Sequence, residues 1–265
     1  MDNILEISDL SLSFIQDHKK DESLYLFKDL KLEIPGEKVT ALVGGNGVGK
    51  TTLFNIINGI QRGTSGKLIF KGKNITGLSP YQIALAGIGR LFQGARIFDE
   101  LSILDNMLMG CNSPEGEIPF YNILFASRVD KAERRNSDKA EKIFIELFGE
   151  DNIFWKSRQE PAGVLSFGQQ RLLALARLLM GDYSLYLLDE PTSGINVNFL
   201  GQIASTIRKM NSHSCRTVLM IEHNMQFVRL IAENCLFMAN GEIIAKGSPA
   251  EVLDNGEVQK IYMGF

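Results

Sequence analysis

Val39-Thr40-Ala41-Leu42-Val43-Gly44-Gly45-Asn46-Gly47-Val48-Gly49-Lys50-Thr51-Thr52 decides the fold. The first five residues are β-branched or apolar, the composition of a buried strand. Gly44 to Thr51 then fit a glycine, four residues, and Gly-Lys-Ser/Thr, the spacing of a phosphate loop. After it, Leu53, Ile56, Ile57 and Ile60 recur at helical spacing, with Gly59 near the stop. Strand, glycine turn and helix in that order form an anion cradle. Glycines let successive N–H groups converge on phosphate oxygens, and the positive end of the helix dipole favours their charge. Lys50 is expected to reach the β- and γ-phosphates and the Thr51 hydroxyl to ligate Mg²⁺. The whole stretch Gly44, Gly45, Asn46, Gly47, Val48, Gly49, Lys50, Thr51 and Thr52 is therefore the expected nucleotide-binding loop.

A chain of 265 residues with 45% hydrophobic content has enough apolar material for one large domain or two smaller ones. The net charge of −3 and the pI near 5.7 leave no overall basic footprint, so nucleic acid is not an expected partner. The opening Met1-Asp2-Asn3-Ile4 lacks the basic and apolar regions of a secretory signal, and no apolar run approaches membrane-spanning length. A cytoplasmic location is expected, with any membrane role exercised through partners. Cys111, Cys215 and Cys235 are odd in number and lack Cys-x-x-Cys spacing, which suits buried thiols and not a disulfide frame or a zinc site.

Residues 4 to 14 and 24 to 34 read as a strand pair, with a charged loop at His18 to Glu22 between them. Phe14 is a candidate to stack on an adenine ring, with Tyr25 as the alternative; an aromatic in a strand is also ordinary core. Lys67 to Phe70, with a turn at Lys71-Gly72-Lys73, predicts another strand pair, and Pro80 to Gly87 a helix. Residues 95–165 change texture: Arg128 to Lys142 is dense in charge among alanines and is followed by Ile143, Phe144, Ile145, Leu147 and Phe148, a helical insertion with a solvated face. At Leu165-Ser166-Phe167-Gly168-Gln169 the chain enters a second strong helix. Ser166 stands at the N-cap, a plain capping turn or a further anion contact.

Ser184 to Thr192 is an apolar strand ending in two carboxylates, at the end of a parallel strand where ligands of open α/β sheets bind. Asp189 is expected to hold Mg²⁺ through water, and Glu190, pointing away from it, to polarise the attacking water. Thr217 to Ile221 is another buried strand, ending at Glu222-His223. A histidine there is often structural, but beside a phosphate site it can donate to the γ-phosphate or orient the water. Asn240-Gly241 predicts a type I′ hairpin between Leu236 to Ala239 and Glu242 to Lys246.

The phosphate loop, Gln93, Leu165 to Gln169, Leu187-Leu188-Asp189-Glu190 and His223 stand in the order of an ABC-type ATPase nucleotide-binding domain, and over nearly its whole length the chain resembles that family. It departs at Phe167, where glycine is commonest, and at Ser193-Gly194-Ile195-Asn196, where Ser-Ala-Leu-Asp is commonest. The resemblance implies an α/β fold: a RecA-like phosphate-loop NTPase core and antiparallel β subdomain (residues 1–94 and 166–265) with a helical subdomain (95–165). It implies ATP and Mg²⁺ as ligands. Lys50, Glu190, His223 and Gln93 would be catalytic, and Thr51, Gln93 and Asp189 would serve the metal. Ser166, Gly168 and Gln169 would cap the γ-phosphate held by an opposite subunit. The implied partners are a second ABC ATPase, identical or paralogous, permease subunits, and indirectly a substrate-binding protein, on the cytoplasmic face of the inner membrane. Within the family, Arg90 to Met107, Ile221 to Met225 and Ile261 to Gly264 look like the branched-chain amino-acid importer type. Urea-importer and lipopolysaccharide-export ATPases share much of that pattern, and a non-transport ABC ATPase is the remaining alternative.

Overall fold

The computed structural model describes residues 2–15, 23–94, 97–111, 126–212 and 216–263. The chain divides into two compact units, one built from Met1–Gln93, Tyr183–Ser193 and Met210–Phe265, the other from Gly94–Asp182 and Gly194–Lys209.

In chain order the first unit opens with β1 (Asn3–Ile15), β2 (Ser23–Pro35), β3 (Val39–Gly44), α1 (Lys50–Ile57), β4 (Ser65–Phe70), β5 (Lys73–Asn74), α2 (Pro80–Ala86) and β6 (Ile88–Leu91). The second contributes α3 (Ile103–Leu108), α4 (Ala126–Phe148), α5 (Ile153–Lys156), α6 (Phe167–Leu179) and most of α7 (Val197–Ser212). The chain returns to the first unit for β7 (Leu185–Asp189), and after α7 for β8 (Thr217–Ile221), α8 (Met225–Ile231), β9 (Asn234–Ala239), β10 (Glu242–Gly247), α9 (Pro249–Leu253) and α10 (Gly256–Met263).

Six strands form the central sheet in the order β10-β9-β3-β8-β7-β6; all its pairings are parallel except the β9–β10 hairpin. Every residue of β3, β7 and β8 is buried, as expected of strands covered on both faces. The phosphate-loop strand is thus interior to the sheet, and its neighbours finish at the same edge: Leu42 and Asp189 both pair with Ile221. That edge carries the site. A second sheet, β2-β1-β4-β5, is antiparallel and shares one apolar core with the first, including Leu5, Phe27, Ile34, Leu42, Leu53, Phe54 and Phe70.

These elements match the sequence reading closely. Asn240 and Gly241 both have positive φ (49° and 77°), the type I′ turn foreseen. The first helix stops at Ile57, short of the apolar pattern's reach to Ile60. Gly59 takes φ 71° there, and Ile60 is left exposed. Cys235 is buried in β9 and its thiol is pushed up to about 12, so it has no reactive character. The charged loop at His18 to Glu22 lies outside the described residues.

The helical unit takes in α6 and most of α7 as well as the insertion singled out in the sequence. Phe144 stacks on Phe154 with ring centroids 5.5 Å apart, and Phe148 lies 4.6 Å from Phe154. The Lys209 amine of α7 donates to the carbonyls of Glu146 and Leu147, satisfying the C-terminal end of α4. Asn106 is fully buried on α3. It accepts from the Phe98 N–H at 2.8 Å and donates to the carbonyls of Phe98 and Ser102, so it fixes the loop of residues 98–102.

Candidate functional site

The phosphate loop links the end of β3 to the start of α1, and two of its glycines are demanded by space. A Cβ at Gly44 would stand 2.2 Å from the Met238 carbonyl oxygen, and one at Gly49, where φ is +102°, 2.6 Å from the Phe27 ring. A Cβ at Gly47 would meet nothing within 4 Å, and Asn46, Gly47 and Thr51 are exposed, so the outer face of the turn is open. Gly45, Val48 and Thr52 are half-buried. Lys50 closes the base of the loop: its ammonium donates to the carbonyls of Gly44 at 2.9 Å and Gly45 at 2.6 Å. Burial lowers its pKa, while the charges of Glu190 and Asp189 act the other way.

The two carboxylates at the end of β7 have different surroundings. Asp189 is fully buried and takes the Arg90 guanidinium on Oδ2 at 2.7 Å. The same guanidinium donates to Asn55 of α1 at 2.7 Å and lies over the rings of Phe92 and Phe54, 4.5 and 5.5 Å from their centroids. Arg90 thereby ties the strand before Gln93, the acidic strand and the phosphate-loop helix together. Glu190 leaves the strand with φ +46°, its N–H donating to the Ile221 carbonyl at 3.0 Å. Its Oε2 accepts from Gln93 Nε2 at 2.8 Å, and its Oε1 lies 3.3 Å from His223 Nε2. Three residues picked from distant parts of the sequence therefore meet on one carboxylate. His223, expected at the γ-phosphate, and Gln93, expected at the metal, here both contact Glu190.

Two buried groups were not singled out in the sequence. Arg90 lies within a strand, Ile88–Leu91, whose composition is otherwise apolar, and a cation in such a strand is itself a signal of a buried partner. Glu222, read only as the residue before His223, is buried; its Oε1 accepts from the N–H and hydroxyl of Thr192, and its Oε2 from the N–H groups of His223 and Asn224.

In the helical unit Ser166 caps α6 in a reciprocal box: its N–H donates to Gln169 Oε1 at 2.9 Å, and its hydroxyl accepts from the Gln169 N–H at 3.4 Å. Gly168 is packed so closely that a Cβ would stand 2.7 Å from the Phe199 ring. Phe167 is exposed. The backbone of Phe14 pairs with Leu24 in the β1–β2 ladder, but its side chain lies outside the described residues; Tyr25 is half-exposed with the Lys28 amine 6.0 Å from its ring centroid.

A family model described as ABC transporter matches residues 27–193. The high-affinity branched-chain amino acid transport ATP-binding protein BraF of Pseudomonas aeruginosa is 32% identical over 261 residues, 98% of each chain. The protein LivG of Escherichia coli K12, of the same description, is 29% identical over 91% of this chain and 92% of its own. Among solved structures, the ADP conformation of MJ1267, an ATP-binding cassette of an ABC transporter, superposes with a TM-score of 0.82 at 28% identity and full coverage of both chains.

Proposed function

Since the chain belongs to the ABC transporter ATP-binding family, we propose that it hydrolyses ATP to drive an importer of branched-chain amino acids, as one of two nucleotide-binding subunits beneath membrane-embedded permeases. The observation that carries this reading is the Glu190 carboxylate, with Gln93 donating to one oxygen and His223 Nε2 lying 3.3 Å from the other. The open turn at Gly47 with an ammonium at its base suits a triphosphate. The loop N–H groups and Lys50 bind the β- and γ-phosphates. Glu190 accepts the proton of a water whose oxygen attacks the γ-phosphorus, and ADP leaves with its new charge facing Lys50. His223 and Gln93 keep the carboxylate aimed through that transfer. Thr51, Gln93 and Asp189 are the residues that would serve Mg²⁺, which when bound offsets phosphate charge. Arg90 holds the Asp189 carboxylate by Oδ2, which fixes its orientation.

The names of the relatives support the substrate class. No described helix is long and apolar enough to cross a membrane. We place the protein on the cytoplasmic face of the inner membrane, with a substrate-binding protein acting on the other side. The loop of residues 98–102 is the proposed permease contact: Phe98 and Leu101 are exposed, and Asn106 holds them in place from beneath. Phe98→Glu or Leu101→Glu should abolish leucine uptake by vesicles carrying the copurified complex, while nucleotide affinity stays at the wild-type value. Normal uptake in both variants would move the contact elsewhere. A complex that hydrolyses ATP but moves no branched-chain amino acid would sink the substrate assignment alone.

A further inference from the structure

We propose that Glu222 is a positioning residue for hydrolysis, stapling the turn that carries Glu190 to the turn that carries His223. The inference rests on the reading of this site as one that hydrolyses ATP. The β7–β8 ladder ends at the pair Asp189 and Ile221, and one further backbone bond, Glu190 N–H to Ile221, follows it. Both chains then turn away from the sheet. There the Glu222 side chain takes over: Oε1 holds Thr192, two residues past Glu190, by its N–H at 2.9 Å and its hydroxyl at 2.7 Å. Oε2 holds the N–H groups of His223 at 3.1 Å and Asn224 at 3.3 Å.

All four partners on Glu222 donate, so the site is matched to a group that only accepts. The residue is 2% exposed, and burying a carboxylate is unfavourable unless its oxygens are satisfied in this way. What the staple sets is the separation of the two turns, and with it the 3.3 Å approach of His223 to Glu190. Glutamine at 222 would turn an –NH₂ group towards one pair of donors whichever way its amide lies. The two turns would then separate, and Glu190 would lose its aim while the phosphate loop, on another strand, kept its shape. Thr192→Val should do the same from the other end of the staple, since it removes the hydroxyl without changing the volume much.

The test uses the full chain in its copurified complex, with MgATP, comparing wild type, Glu222→Gln, Thr192→Val, Thr192→Ser and the Glu222→Gln/Thr192→Val double variant. In Glu222→Gln and Thr192→Val, kcat should fall roughly tenfold to a hundredfold, the effect of a small misplacement of a reacting group. The Kd for ATP, read by fluorescence of a labelled analogue, should stay within about threefold of wild type. Thr192→Ser, which keeps the hydroxyl, should restore most of the rate, and the double variant should be no slower than the slower single one. Should Glu222→Gln not fold, Thr192→Val decides by itself. The proposal is overturned by kcat within about twofold of wild type in the folded variants, or by ATP affinity falling in step with kcat, which would mark a purely structural role. Absence of hydrolysis in the wild type would instead remove the proposed function, and this inference with it.

Discussion

In Glu190→Gln, ATP should remain bound and whole, with turnover lower by about 10² to 10³. The amide oxygen can still accept from Gln93, so the local arrangement survives while the proton acceptor is lost. The larger consequence concerns assembly. Each chain offers one phosphate loop and one capped serine turn at Ser166, and we propose that an ATP is enclosed between Lys50 of one subunit and Ser166 and Gly168 of another. A ligand that binds only the closed pair stabilises it by roughly 2.7 kcal/mol at a hundredfold excess over its Kd, and hydrolysis withdraws that stabilisation. Closing and opening then form a two-state motion that a permease can follow. Light scattering on Glu190→Gln with ATP, alone and mixed with any paralogous ATPase from the complex, should show a dimer that disappears with ADP. Phe167→Asp is the better control for the signature surface. Phe167 is exposed, whereas any side chain at Gly168 would strike Phe199 within its own subunit. An aspartate in the first turn of α6 suits the helix dipole and places a negative charge against the incoming phosphate. A strictly monomeric species in both samples at saturating ATP would defeat the shared-site mechanism.

Lys50→Ala should weaken ATP binding itself, by roughly tenfold to a hundredfold if one charge-assisted hydrogen bond is lost, and should remove hydrolysis with it. The lysine also makes a pH signature. Burial lowers the pKa of its ammonium in the free protein, against the pull of Glu190 and then Asp189. A triphosphate adds further negative charge and raises it. Binding therefore takes up protons as the pH climbs towards the lowered lysine value, and affinity falls with rising pH in that range. Calorimetry in buffers of different ionisation enthalpy should detect this uptake in wild type and not in Lys50→Ala. Equal affinities in the two proteins, with equal proton uptake, would remove Lys50 from the site.

The fold was legible because its central strands are short apolar runs bounded by glycines and acids, and a parallel sheet covered on both faces needs nothing subtler. The loop at Gly44 to Thr52 was legible from spacing alone. The network behind it was not. Arg90 and Asp189 are far apart in the chain, and nothing in either neighbourhood names the other; only the sheet order, with β6 beside β7, brings them together. Glu222 was hidden by its neighbour: beside a histidine at a strand end it reads as an ordinary surface acid, and its burial follows from the turn at Thr192. The meeting of Gln93 and His223 on Glu190 depends on side-chain direction after the strands end, where periodicity no longer constrains it. The grouping of α6 with the helical unit likewise depends on contacts that no local pattern encodes.

Glu190 sits in the left-handed region at φ +46°, where an L-residue with a side chain pays roughly 1–2 kcal/mol relative to glycine. A screen that rewards heat resistance alone would find this position early, because glycine or asparagine fits its backbone better than glutamate does. The sturdier protein so recovered would lack the group that activates water. Thermal tolerance and turnover thus pull in opposite directions at one residue, and stabilising libraries for this chain should hold position 190 constant while varying other left-handed residues, such as Asp29 and Asp182.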